Sequence, residues 1–321
     1  MRVEDRLDTG LRTLRFQVPC LARNFELFEE ENYLNYQGAE FVIKEINSEK
    51  NDFFTVYADA NIEDLVGSMY SAFDVHDKTI RSAYDYCLQN TPWKLDYQST
   101  NKSIVEYQVA NTDAYTMIKV IAADYKHELF FDTTDFTLHV YDKRGTTAGT
   151  YFSNELKLVS LKKQSSTYNY ATVLFPIGKD GLTIGTINNG KNYIENFSYS
   201  NKYIAKIWIN EDYDVAEKLK AAAESYLQSI AVPRASYKLK LSSLDREVEV
   251  GDEIILVDKI KRIKQKQRVV RLVRCPQSPE DSVVEISNLQ ENFAFDFINE
   301  QKNVRKELEY VKATLKNLTS S

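Results

Sequence analysis

A β-rich α+β fold is predicted by three observations. Aromatic residues make up 12% of the 321 positions, with 21 Tyr and 16 Phe, and together with many Val, Ile and Thr they favour pleated, half-buried surfaces. Short apolar runs bounded by Asn, Asp and Gly clusters recur along most of the chain. Helical periodicity is confined to a few windows within 61–125, at 214–230 and at the C-terminus. Hydrophobic residues at 43%, charged residues at 27% and only 10 Gly and 6 Pro exclude wholesale disorder, collagen and low-complexity classes. A chain of this length buries about three quarters of its unfolded surface and has room for about two domains.

Taken in order, residues 11–18 (LRTLRFQV) alternate as a strand, and 41–46 and 53–58 read as a strand pair across NSEKND. From Asn61 the period changes. Ile62, Leu65, Val66, Met69, Tyr70 and Phe73 share one face of a helix capped by Asn61, with Glu63 and Asp64 in its first turn. A second helix carries Ile80, Ala83, Tyr84, Cys87 and Leu88 and stops before Pro92, because the residue preceding proline avoids the α region. A third covers 112–125, with Tyr115, Ile118, Val120, Ile121 and Tyr125 mostly on one side.

ELFF and FTLHVYD then flank the turn DTTD as a hairpin. Strand character returns over 151–175 and 203–209, with Gly178, Gly181, Gly185 and Gly190 punctuating the loop between them. Asp214 is read as the cap of a helix ending at Ile230, with Glu217 in the reciprocal position and Pro233 just beyond. Strands at 254–257, 268–274 and 282–286 finish the body, the first two separated by a basic loop. This divides the chain into a β domain at 1–60, an α+β insertion at 61–146, a second β-rich domain at 147–288 containing the helix 214–230, and a C-terminal helix at 289–321.

That last stretch has heptad spacing. Phe297, Val304, Val311 and Leu318 occupy one seam, Gln301, Leu308 and Leu315 the other. With leucine at a and β-branched residues at d, the pattern leans to three or four strands. Glu300 with Arg305 and Glu307 with Lys312 stand in the interhelical ion-pair relation. Val304, Leu308, Val311 and Leu315 are therefore the expected oligomer contacts, against the alternative of a lone amphipathic helix.

Forty-seven acids against 41 bases leave a formal charge of -6, which argues against affinity built on nucleic-acid phosphates. Cys20, Cys87 and Cys275 are odd in number, far apart and outside any CxxC spacing, and read as small buried hydrophobes. The charged start MRVEDRLDTG is unlike a signal peptide, and no window approaches 18 uninterrupted apolar residues.

Chemical motifs are sparse. Gly185–Lys191, GTINNGK, meets a phosphate-loop pattern except that Asn192 replaces the required Ser or Thr, and NYIENFSYSNKY after it lacks the helical stripe such a loop must open. Asn210, Asp212 and Asp214 alternate like calcium ligands, but Val215 and Ala221 stand where Gly and Glu are needed. His127-Glu128 begins an HExxH that Phe131 ends, with His139 on the next strand. His76, His127 and His139 are read as surface or packed residues. Carboxylate pairs such as Glu29 with Glu31 or Asp132 with Asp135 are read as solvated. The run 259–268, KIKRIKQKQR, is read as an exposed hairpin loop. No catalytic residue, cofactor or metal follows from these patterns.

The stretch 175–213, FPIGKDGLTIGTINNGKNYIENFSYSNKYIAKIWINEDY, resembles the central signature of the phage tail-associated, or prophage endopeptidase tail, family. EFVIKEI, NIEDLVGSMYSAF with NTPWKL, ELFFDTTDFTLHVYDKRGTTAGTYF, VGDEIILVD and RVVRLVRCPQSPEDSVVEISN resemble it in the same order, so the likeness runs from 40 to 288. It implies tube-like β-barrel domains of the baseplate-hub type with an α+β insertion. It also implies a non-enzymatic homotrimer at the distal end of the virion tail, seated on the distal tail protein ring. Such a hub would enclose a channel for the tape-measure protein and then for phage DNA, opening at ejection; the acidic net charge suits DNA passing without being held. The chain departs from the family in having little before its first strands and little after 288. Two alternatives stand beside this: a tail-associated peptidoglycan hydrolase or endopeptidase, needing convergent carboxylates or a metal, and a saccharide-binding adhesin suggested by the tyrosines.

Overall fold

The computed structural model describes residues 1–23, 25–48, 52–147, 150–153, 158–167, 169–211, 213–241, 248–258 and 263–287. They form two compact units, one of Met1–Leu161 with Leu239–Ile286, the other within Lys162–Lys238. The expected contacts Val304, Leu308, Val311 and Leu315 lie outside the described residues.

The first unit opens with β1 (Arg2–Arg6), β2 (Arg12–Pro19), β3 (Tyr33–Tyr36), β4 (Ala39–Ser48) and β5 (Phe53–Ala60). β2 is the strand expected at 11–18, and β4 and β5 are the expected antiparallel pair, with Phe41 opposite Ala60 and a bulge at Lys44. β1 is a strand that apolar alternation did not reveal: in RVEDR only Val3 is apolar. Leu14, Phe41, Ile43, Val56 and Ala58 form the core against this sheet.

The chain continues through α1 (Glu63–Gly67), β6 (Met69–Thr79), α2 (Ile80–Leu88), β7 (Lys94–Tyr97), β8 (Ile104–Asp113), α3 (Ala114–Tyr125), β9 (Glu128–Asp132) and β10 (Thr137–Tyr141). Asn61 accepts from the backbone N–H of Glu63 as expected of a capping side chain. The helix expected to run through Phe73, however, ends at Gly67, and Tyr70, Phe73 and Val75 reach the core from strand β6. Residues at 62, 65, 69, 70 and 73 thus mimic a helical stripe because two short elements cover one core in succession. The deciding partner is β8, rich in β-branched and aromatic residues, which pairs with β6 from Met69–Asp113 to Thr79–Ile104.

α2 buries all five residues assigned to its inner face, and Thr79 caps it through the N–H of Ser82. α3 is capped by Asp113, which accepts from Thr116, and ends at Lys126 in the left-handed region. The hairpin β9–β10 forms as expected, with β7 parallel to β10 on the other side. Leu65, Phe73, Tyr84, Met117, Ile121, Phe131 and Leu138 are the heart of this core.

After β11 (Thr150–Ser153) and β12 (Leu158–Ser166) come β13 (Val173–Ile177), β14 (Ile194–Glu195), β15 (Ala205–Ile209) and α4 (Ala216–Ile230), then β16 (Arg234–Leu241), β17 (Glu253–Asp258), β18 (Ile263–Arg274) and β19 (Val283–Ser287). Within the first unit β18, β1, β2, β5, β4 and β3 are neighbours in that order, all antiparallel, and β17 joins β11 to β18. The run 259–268 is only in part the loop expected: from Ile263 it is strand, with Lys264 and Lys266 exposed and Gln267 and Arg268 buried.

In the second unit β14, β13 and β15 form a small sheet, and Leu219, Ala223, Leu227 and Ile230 of α4 join Ala171, Leu174 and Ile184 in its core. α4 ends as expected at Ile230, but its N-cap is Val215, with no side-chain bond, so Asp214 is not the cap. The helix begins one residue later than the capping-box spacing requires, and burial of its apolar face holds it instead.

Candidate functional site

The residue types that resembled catalytic motifs are structural where they are described. His127 is buried between Tyr84, 3.1 Å from Nδ1, and Ser99, 3.0 Å from Nε2. The Ser99 hydroxyl donates to Asp142, so Nε2 carries the imidazole proton and Nδ1 accepts from Tyr84. Ser99 is thus a donor to a carboxylate and not an activated nucleophile. Burial lowers the His127 pKa, and Asp142 at 3.8 Å offsets this only in part.

A histidine depressed in the folded state favours the unfolded state once it protonates, so stability is lost as pH falls through about 6.5, the unfolded value. The urea midpoint is expected to drop between pH 7.5 and 5.5 more steeply than in His127→Gln; parallel profiles would show that His127 does not couple to folding.

Glu128, the second residue of the broken HExxH, is taken by Arg268. His139 bonds Asp96 at 2.7 Å, and His76 sits beside Asp74 on the surface. Glu31 pairs with Lys44, Glu29 and Asp135 are exposed, and Asp132 accepts from Thr134 within its turn. In GTINNGK, Gly185–Ile187 is a single 3-10 turn, Asn188 ties back to the carbonyls of Lys191 and Tyr193, and the Lys191 ammonium lies over the Tyr193 ring. No helix opens there to face a phosphate. Asp212 lies outside the described residues, and these contain no cluster of three metal-ligating side chains. Cys87 and Cys275 are buried and Cys20 half-buried, all three free, with burial pushing the Cys87 thiol up. Among the described residues no helix is long and apolar enough to cross a membrane.

Charged chemistry gathers instead where β1, β2, β9 and β18 meet. Arg268 places both terminal nitrogens on Glu128, at 2.6 and 2.8 Å, and also donates to the carbonyls of Gly251 and Arg144. Arg271 grips Glu4 in the same two-point manner at 2.6 and 2.7 Å, which raises the Arg271 pKa. Asp5 is buried and accepts from Arg12 Nε at 2.7 Å and Arg274 at 3.1 Å, and Arg274 bonds Glu249 at 2.7 Å as well.

Beside Asp5 opens a cavity of about 610 Å³ lined by Arg12, Arg274, Tyr36, Phe41, Pro276 and Pro279 among others. Sequence reading missed this cluster because its partners stand up to 269 positions apart. The one local signal was a strand of charges, RVEDR, whose pairing only the sheet supplies.

The second unit shows a different surface. β15 directs Ala205, Ile207 and Ile209 to solvent, the two isoleucines 63% and 64% exposed, with Tyr203 beside them at 65%. β15 ends its sheet, and among the described residues no strand pairs with its outer edge. An apolar edge strand left open is a surface for protein contact.

Residues 146–294 match the model of the prophage endopeptidase tail family. The fold is similar to the prophage tail protein gp18 of Listeria monocytogenes EGD-e, with a TM-score of 0.64 at 14% identity over 96% of this chain and 92% of that one. It is also similar to the 43 kDa tail protein of prophage MuSo2 from Shewanella oneidensis, at 0.67 and 12% identity over 89% and 93% of the two chains. A tail protein of Neisseria meningitidis MC58 matches at 0.64 and 10% identity over 89% and 91%. No curated protein matches the sequence.

Proposed function

We propose that this chain, phage tail-associated by its family match and tail-protein-like in its β-rich fold, is a structural, non-enzymatic hub at the distal end of a phage tail. The observation that carries the reading is whole-chain similarity to three tail proteins, two of them from prophages, about nine tenths of each chain being covered. In this reading three copies assemble, with the insertion at 61–146 carried on the β framework. The hub sits on the distal tail protein ring and surrounds the path of the tape-measure protein and then of DNA. The open apolar edge of β15 supports assembly, since obligate contacts bury more than about 2,000 Å² and draw on such surfaces. The heptad positions Val304, Leu308, Val311 and Leu315 are proposed as the threefold contact on their spacing.

Light scattering of the purified chain over a concentration series is the test. A mass three times that of the chain, reduced by Leu308→Asp, is expected; a monomer at every concentration removes self-assembly from the proposal, and a trimer untouched by Leu308→Asp removes the heptad. The family's name raises peptidase action, and a cell-wall zymogram run with and without chelator is expected to show no clearing.

A further inference from the structure

β15 has the sequence of an inner strand and stands at the edge of its sheet. AKIWI, and VLFPI in its parallel neighbour β13, are near-continuous apolar runs, the pattern of strands buried on both faces. Edge strands are normally blunted by outward charges, proline or a bulge. β15 has one charge, Lys206, and turns it towards Tyr226 of α4, leaving Ala205, Ile207 and Ile209 on the opposite face. There Phe175 lies beside Ile207 and Ile177 beside Ile209, so an apolar face stops at an edge that no described strand continues.

Lys206 is incomplete as well. Its half-buried ammonium donates to Asn169 and, at 3.2 Å, to the Tyr226 hydroxyl, and lies 5.7 Å from the centre of the Tyr226 ring. Both partners are neutral, and no carboxylate among the described residues pairs with it. An ammonium held partly out of water gains most from a charged acceptor.

The chain itself carries a segment that fits this edge. Ser287, the last described residue, belongs to the second unit. β19, which it ends, lies beside β16, and β16 starts four residues after α4 stops at Ile230. The Ile230 carbonyl accepts from Ala171, and the next residue, Thr172, donates to Ile204 at the head of β15. The chain runs on from Ser287 through ENFAFDFI at 291–298. Phe293, Phe295 and Phe297 alternate there with Ala294 and Asp296, the period of a strand with one aromatic face. The family match also continues past β19, to residue 294. The six steps from Ser287 to Phe293 span up to about 20 Å, more than the length of a five-residue strand such as β15, about 17 Å.

We propose that residues 293–297 add to the outer edge of β15 as a fourth strand of this sheet. Phe293, Phe295 and Phe297 extend the apolar face of Ile207 and Ile209, and Asp296, on the other side of the strand, supplies the carboxylate that Lys206 lacks. Phe297 then belongs to the sheet, and the heptad starts at Gln301. The face so widened stays available to the assembly contact, and the added strand does not depend on that contact.

Hydrogen exchange of the full chain, read by mass spectrometry on peptides covering 203–211 and 289–299, tests this. Both are expected to exchange about tenfold or more slowly than unstructured chain. Phe295→Asp is expected to raise exchange in both by about tenfold while peptides from α2 and α3 keep their protection, which shows the fold intact. Asp296→Lys sets two ammonium groups face to face and is expected to raise exchange by about threefold or more; adding Lys206→Asp exchanges the charges in place and is expected to restore protection. The same protection in Leu308→Asp assigns the strand to the chain's own segment, whereas protection lost together with the oligomer would assign it to a neighbouring copy. That loss, an unprotected 289–299, unchanged exchange at 203–211 in Phe295→Asp, or a charge exchange that restores nothing would each overturn the proposal.

Discussion

Arg268→Ala is expected to lower the unfolding free energy of the first unit by about 3–5 kcal/mol, the cost of leaving one half of a buried ion pair. The Arg268 and Glu128 side chains are only 10% and 22% exposed, so solvent screens little of their interaction. The substitution strands Glu128 and also removes the donor to the carbonyls of Gly251 and Arg144. One side chain thus ties β9, the loop after β10 and the β17–β18 region together. Arg268→Met combined with Glu128→Leu is expected to recover part of the loss, since both charges go, but not all, because the two carbonyls stay unpaired. Urea unfolding of the three proteins measures this; a loss below about 1 kcal/mol for Arg268→Ala would place the pair among surface ion pairs in effect.

Gly145→Ala is the second substitution of large effect. Gly145 has φ of 89°, and a Cβ there would lie 2.2 Å from the Gly251 carbonyl carbon and 2.5 Å from the Asp252 nitrogen. Gly251 mirrors it, with φ of 96° and a Cβ position 2.5 Å from the Arg144 oxygen. The loops meet backbone to backbone, and Asp252 seals the contact by accepting from the N–H and hydroxyl of Thr146. A methyl group must push one main chain off the other, and we expect a loss of about 3 kcal/mol or more in urea unfolding. Gly181→Ala is the control: φ is 79° but nothing lies within 4 Å of its Cβ position, so backbone strain alone predicts about 1–2 kcal/mol. Equal losses at the two sites would mean that the close approach carries no energy of its own.

Much of the fold could be read along the chain because its signals are local. The inner face of α2 at Ile80, Ala83, Tyr84, Cys87 and Leu88, the end of α4 at Ile230, and the β9–β10 hairpin around DTTD each depend on residues within a dozen positions of one another. Where local signals conflicted, the reading went astray. Met69, Tyr70 and Phe73 satisfy a helical count, yet β8, some forty residues on, makes them strand. Asp214 satisfies a capping pattern, but the helix starts beyond it.

The charged cluster was the least legible part. Asp5 and Arg12 are register partners, as are Glu4 and Val273, and no property of RVEDR taken alone says that three arginines will converge on it.

Composition and periodicity were enough to establish a strand-rich chain with a helical insertion, because burial of apolar surface acts on patterns a few residues long. The resemblance in 175–213 was likewise legible without coordinates, and the family match over 146–294 agrees with it. Which charges are buried and which glycines must stay glycine depended on contacts between distant segments. A buried charge is tolerable only beside its counter-charge, and chain separation is no guide to distance once a sheet has formed.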